Sequence, residues 1–365
     1  MVSKFILRNK YGFTDNEISF YQNLIKDSTG IIEERYISQK RYTELRKYLD
    51  EGSWRSIIHN KWISSIYFAQ YGVPQPTSYG LLHPLYGIDL QHKPLLNARH
   101  LEDLIREQNL ERFVLKHIGG GKGDSVSIVK KIEKNENGFV YITINRKRLG
   151  RSEVNDLLSH RTGDLGGYKI EEFLDSHESI SRITGGGASS MRIYTFREKP
   201  NKTIAKLGFI RFGLPSGATD HLTNGATYAT IDLSQGSIKE GISNLNRNIK
   251  VKIHQPTGER FTGKIIPYWD RVVQVAEQAA RSCPGLNWVG WDIVLSEDGP
   301  YLIEGNVGME LSSFQQLFGG LKENGIFGDW IKHLDIPVAE EKDVGELGSW
   351  KTKYVRNAVG KMIKR

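Results

Sequence analysis

A single cysteine, Cys283, stands among 365 residues. An intrachain disulfide is therefore excluded, and the chain fits a reducing cytoplasm. No motif surrounds Cys283, so an inert buried thiol is expected. Long hydrophobic runs are also missing. No stretch reaches the about 18 uncharged apolar residues that a membrane-spanning helix needs. The segment from Met1 to Lys10 lacks the longer apolar core of a secretion signal. No internal repeat and no low-complexity stretch occurs.

Acidic residues are missing from 351–365, where Lys351, Lys353, Arg356, Lys361, Lys364 and Arg365 supply most of the net charge of +8. A basic balance concentrated in a tail is poor ground for nucleic-acid binding, and none is expected. Tyr354, Val355, Ala358, Val359, Met362 and Ile363 recur there at helical spacing. The tail reads either as a basic amphipathic helix lying on an anionic membrane or as a helix docked on its own protein. A cytoplasmic protein is expected, at the inner face of the membrane if the tail binds lipid.

The chain is long enough for two or three packed subdomains. Residues 14–70 read as helical, beginning at a capping pattern, Thr14 to Glu17. A helix over 61–71 should stop at Gly72, before Pro74 and Pro76. Short strands fill 77–94, and a helix covers 98–108. Strands then dominate: 113–118, 126–129, 139–145, 168–174, 190–197, 204–212 and 226–232. Helices interrupt them at 152–159 and 269–283. Interspersed helices and hairpins without regular crossovers indicate an α+β fold.

Three features carry chemistry. Residues 119–125, Gly-Gly-Gly-Lys-Gly-Asp-Ser, form a glycine loop between two strands. Its backbone can approach an anion, with Lys116 and Lys122 adding charge. Lys122 is followed by Gly123 rather than Ser or Thr, so it is not a Walker loop. The loop is either a lid over phosphates or a mobile surface loop. Lys116 sits in an apolar strand and either meets a phosphate or faces solvent from an edge strand.

The second feature is the hairpin 291–306. Centring its turn on Asp298 places Asp292 opposite Glu304, with Asn306 next on the same face. Three oxygen donors suit Mg2+, or are solvated acids at a hairpin end. Third, Arg192 and Arg211 lie in apolar strands, as clamps for a carboxylate or phosphoryl group or as structural ion pairs.

In this order the segments resemble the sugar-transfer-associated family of the ATP-grasp superfamily. The resemblance rests on Asn60-Lys61-Trp62 with 71–76, on 113–116 with the glycine loop, and on 170–177. It continues through 189–195, 209–213, 254–258 and 266–269, and is strongest at 289–292 through 304–306. It covers roughly residues 55–325.

The resemblance implies ATP sandwiched between two α+β lobes, with an N-terminal helical region and a C-terminal helix. The implied segments are a mainly helical region at 1–105, a small lobe with the lid at 106–170, a large lobe with the Mg2+ site at 171–335, and the tail at 336–365. The implied reaction joins a carboxylate to an amine through an acyl phosphate. A carboxylated sugar or lipid-linked saccharide would be one partner and an amino acid or similar amine the other. An ATP-dependent kinase is the alternative.

The implied nucleotide contacts are Lys61, Lys116, Gly120, Gly121, Lys122, Glu171, Glu172, Leu174 and Glu178. Asp292, Glu304 and Asn306 would hold Mg2+. Arg192, Arg211 and Lys116 would act on the reacting groups. Ser189, Asp220, His221 and Asn224 are acceptor-side candidates. The family often has Asp-Asn where Asp220-His221 stands here.

Overall fold

Period-two alternation of apolar and polar residues along two antiparallel sheets decides where the chemistry lies. The structure is a computed structural model describing residues 4–25, 31–119, 126–136, 138–159, 166–215, 217–243, 246–334 and 336. The tail at 351–365 and the loop residues Gly120, Gly121 and Lys122 lie outside the described residues. The chain divides into two units, one running from Asp50 to Met309 and the other made of the residues before and after it.

The first sheet contains β1 (Ser78–Leu82), β2 (Ile88–Asp89), β3 (Phe113–His117), β4 (Val126–Asn135), β5 (Gly138–Thr143), β6 (Arg148–Leu149) and β7 (Tyr168–Glu171). Its spatial order is β2-β1-β7-β3-β4-β5-β6. Phe113, Leu115, Ile170 and Tyr141 join one core with Leu101, Leu104 and Ile105 of helix Ala98–Glu107 and Val154 of helix Arg151–Ser159. The alternate residues Val114, Lys116, Lys169 and Glu171 therefore fall on the other face.

The second sheet contains β8 (Ser189–Lys199), β9 (Lys202–Phe212), β10 (Thr227–Asp232), β11 (Ser237–Ser243), β12 (Asn246–Val251), β15 (Trp288–Ser296) and β16 (Gly299–Asn306). Between them in the chain, β13 (Ile253–His254) and β14 (Glu259–Arg260) form a small ribbon. The sheet order is β12-β11-β10-β9-β8-β15-β16. Met191, Ile193, Ile210, Phe212, Trp291 and Ile293 share a core with Val272, Val275, Ala276 and Ala279 of helix Trp269–Ser282. Cys283 ends that helix; it is fully buried, and burial pushes its thiol up to about 12. The expected burial of the cysteine is found.

The expected helical stretch 14–70 is broken into Asp15–Ile25, Ile32–Arg35, Gln39–Leu49, Gly52–His59 and Lys61–Gln70. Thr14 and Glu17 cap the first reciprocally: Thr14 N donates to Glu17 Oε2 at 2.8 Å and Glu17 N to Thr14 Oγ1 at 3.3 Å. The strands at 78–89, expected with the N-terminal helices, pair instead into the first sheet.

In the other unit, helices before Leu49 join Leu311–Phe318 and Ile326–His333. Gln315 is its polar centre. Its Nε2 donates to Tyr21 Oη at 2.6 Å and Ile37 O at 3.0 Å, and its Oε1 accepts from Ile37 N at 3.0 Å and Leu321 N at 3.2 Å. Such a satisfied buried amide fixes one arrangement of the chain around it.

Trp291 anchors the core behind the second sheet. Its Nε1 donates to Thr195 Oγ1 at 2.8 Å, and its ring meets Phe68 edge-on with centroids 5.6 Å apart. Gly305 lies against it, where a Cβ would come within 2.8 Å of the indole. Trp291→Ala is expected to destabilise this unit by about 3–5 kcal/mol, read as a lower urea midpoint at unchanged slope.

Candidate active site

The polar face of the second sheet is assembled by register across four strands. Arg211 pairs with Ser190, Arg192 with Asp292, Asp292 with Glu304, and Gly290 with Asn306. The hairpin reaches this register by an unexpected route. Ser296 pairs with Gly299, so the turn is the two residues Glu297 and Asp298, not a loop centred on Asp298. A β-bulge then leaves Ile303 without a partner and restores Asp292 opposite Glu304.

Asp292 is 3% exposed and is gripped from both sides. Arg192 donates from Nε to Oδ1 at 2.7 Å and from Nη2 to Oδ2 at 2.8 Å. Arg211 Nη2 lies 2.8 Å from Oδ2, and Asn306 Nδ2 donates to the same oxygen at 3.2 Å. Burial works against charge on this carboxyl, but the two guanidiniums outweigh it and hold it far below the usual carboxylate range. Burial opposes the charge of Arg192 as well, and Asp292 holds that guanidinium well above its ordinary value. The two sequence readings of Arg192, clamp or structural ion pair, thus meet in one contact, because its partner acid is the metal-ligand candidate.

Arg211 also donates to Ser190 Oγ, from Nη2 at 2.6 Å and Nε at 3.0 Å, and that hydroxyl donates to Asp220 Oδ2. Ser190, not Ser189, belongs to the cluster. Ser189 turns its hydroxyl to Arg211 O at 2.6 Å. Ser190 was legible as the residue two before Arg192 on the same strand face. His221 Nδ1 and Thr223 Oγ1 are 2.8 Å apart at the start of a short 3-10 turn, and Asn224 Nδ2 donates to Thr219 Oγ1 at 3.0 Å. These loop side chains are engaged with their own turn.

The polar face of the first sheet carries cations. β3 lies between β7 and β4, so Lys116 is not on an edge strand. Its ammonium pairs with Glu171, and Lys169 Nζ lies 2.7 Å from the other oxygen of the same carboxylate. Burial alone would raise the Glu171 pKa, but Lys116 and Lys169 outweigh it and hold it at about 2. The family resemblance implied Glu171 as a nucleotide contact. Its side chain instead organises two lysines, while its position pairs with both Ser78 and Val114 inside the sheet. Lys169, unnoticed in the sequence, stands two residues before Glu171 and therefore on its face.

Lys61 joins the two faces. Asn60 caps its helix, accepting from Trp62 N at 3.0 Å and Ile63 N at 3.1 Å. The Lys61 amide donates to Ile118 O at 3.0 Å, just before the glycine loop, and its Nζ lies 3.4 Å from Glu304 Oε2. The strand expected over 168–174 ends at Glu171, and 172–177 carries the chain to helix Glu178–Thr184. Glu172 accepts from Thr77 N at 3.0 Å and Oγ1 at 2.9 Å. Phe173 lies under Arg112 and Lys130, at 5.0 and 4.7 Å from its ring centre. Leu174 follows it in this linker, and Glu178 pairs with Arg182 on the surface.

Among the described residues no three His, Cys, Asp or Glu side chains gather as a metal cage. The candidate set is two carboxylates and an amide, which suits a hard cation that also takes ligands from a phosphate. The residues fit such an ion. Asp292 Oδ1 accepts one hydrogen bond, from Arg192, so a lone pair remains for a metal. Glu304 and Asn306 are partly exposed beside it.

The depressed Glu171 carboxyl contributes stability above its ordinary value of 4.5, and that contribution is lost as pH falls toward about 2. The stability difference between wild type and Glu171→Gln is therefore expected to shrink across that window. Urea denaturation at stepped pH checks it; a constant difference would refute the shared-carboxylate arrangement.

No curated protein matches the chain by sequence. Among solved structures, it resembles biotin carboxylase from Campylobacter jejuni at 10% identity and a TM-score of 0.47, over 86% of this chain and 55% of that one. The biotin carboxylase domain of Hydrogenobacter thermophilus 2-oxoglutarate carboxylase gives 11% identity and 0.47, over 89% and 58%. The ATP-grasp ligase PsnB, solved with precursor peptide PsnA2 and AMPPNP, gives 11% and 0.42, over 88% and 76%. The chain thus spans little more than half of either carboxylase chain. The family model for sugar-transfer associated ATP-grasp matches residues 40–323. That match takes in both sheets, both polar faces and the hairpin, and the chain belongs to the sugar-transfer associated ATP-grasp family.

Proposed function

We propose that the protein is an ATP-dependent carboxylate–amine ligase working through an acyl phosphate. Its acceptors would be a carboxylated sugar, free or lipid-linked, and an amino acid or similar amine, in surface polysaccharide synthesis. The observation that carries this reading is the Lys61–Glu304 contact. It brings the cationic face, with Lys116 and Lys169, against the oxygen donors Asp292, Glu304 and Asn306. Cations for phosphates beside acids for a metal are what a metal–nucleotide complex requires.

In this reading Lys116 and Lys61 bind phosphate oxygens. Asp292, Glu304 and Asn306 hold Mg2+, which supplies neutralisation of phosphate charge during transfer. Gly120, Gly121 and Lys122 cover the nucleotide and keep water from the acyl phosphate. Glu172 and Leu174 lie along the adenine and Glu178 near the ribose. Arg192 and Arg211, fixed by Asp292, orient the carboxylate and the transferring phosphoryl group. Asp220, His221 and Asn224 line the acceptor side, with Ser190 linking Asp220 to Arg211.

Incubation with Mg-ATP, candidate sugar acids and hydroxylamine is expected to release ADP and form a hydroxamate. A stable phosphorylated product without hydroxamate would replace the ligase by a kinase. Glu304→Gln is expected to cut ADP release by more than about 100-fold with an unchanged circular-dichroism spectrum. Near-normal turnover in that variant would overturn the metal assignment.

A further inference from the structure

Lys116 and Lys169 stand directly opposite each other on β3 and β7. Like charges in that position weaken a strand pair, so the juxtaposition needs a reason. Lys169 is 3% exposed and Glu171 1%. Lys116 is the more open of the two lysines, with a side chain 12% exposed against 4% for Lys169. The single carboxylate between them gives one oxygen to each ammonium. Lys61 is near enough that its charge, with that of Lys116, helps burial push the Lys169 pKa down. Lys116 and Lys169 thus share Glu171 while Lys61 pairs with Glu304, and three lysines against two acids leave a net positive charge.

A buried cation beside an undivided carboxylate forms a closed ion pair, neutral toward anything that approaches. Dividing the carboxylate between two ammoniums changes that. Each receives half of the compensation, and the outer one keeps attraction for an incoming anion.

We propose that Lys169 is a positioning residue for phosphate binding: by holding one oxygen of Glu171, it prevents that carboxylate from closing on Lys116 and leaves the Lys116 ammonium available to a phosphate ester. The proposal rests on the reading of this face as a nucleotide site.

Calorimetric titration of the full chain with ADP and with inorganic tripolyphosphate tests it. Lys169→Met is expected to weaken both by about tenfold or more, the range for a lost charge-assisted contact. Lys169→Arg should keep binding within a few-fold of wild type. Adding Glu171→Gln to Lys169→Met should restore most of the affinity, since no carboxylate is then left to neutralise Lys116. A merely structural lysine would not be rescued in this way.

Glu171→Gln alone keeps the test open should Lys169→Met fail to fold. It is expected to bind tripolyphosphate at least as tightly as wild type. Undiminished binding by Lys169→Met, absence of rescue in a folded double variant, or weaker binding by Glu171→Gln would each overturn the positioning role while leaving the nucleotide site intact. Failure of the wild type to bind either ligand would overturn the nucleotide reading itself, and the proposal with it.

Discussion

The buried carboxylate of Asp292 is the constraint on which the second sheet's polar face depends. A carboxylate with so little exposure is costly unless its partners are fixed in place. Here they are fixed by strand register: Arg192 opposite on β8, Arg211 one strand further, Asn306 on β16. The same alternation that points these groups one way points Ile193, Ile210 and Trp291 into the hydrophobic core. A slip of one residue would bury the charges among apolar side chains and expose the core. Core packing and polar chemistry therefore specify the same register twice.

The two polar faces follow a common plan with different materials. Each divides one buried carboxylate between two cations, Asp292 between arginines and Glu171 between lysines. The guanidinium is planar, always charged and bidentate, so Arg192 and Arg211 act as fixed scaffolding for whatever binds beside them. The ammonium is a compact point charge on a flexible stem. The lysine face can accordingly rearrange, while the arginine face is held in one geometry. Lys61, held at a capped helix start, is the element common to both.

Local rules made much of this legible. The hairpin, the capping pattern at Thr14 and the strand alternation around Arg192 follow from periodicity and turn chemistry. What escaped depends on partners distant in the chain. The sequence shows an acid at 171 and a lysine at 116, but only the β3–β7 pairing shows that they belong together, or that Lys169 belongs with them. The union of the helices before Leu49 with those after Glu310 rests on Gln315 reaching Tyr21 and Ile37, which no local pattern encodes. The hairpin register was read correctly from a turn centre that was not the real one, because the bulge at Ile303 supplied the missing half-step.

That bulge divides the hairpin into a part where chain length matters and a part where it does not. Residues added at the Glu297-Asp298 tip would extend a loop and leave the ladder below it unchanged. Were β16 to run on without the bulge, Ile303 would stand opposite Asp292, and Glu304 and Asn306 would turn to the other side of the strand, toward the indole of Trp291. Within a segment of a dozen residues, the chain thus accepts added length at one point and depends on a single extra residue a few positions away. The count of residues between the tip and Glu304 is therefore as specific a feature of this polar face as the side chains that it carries.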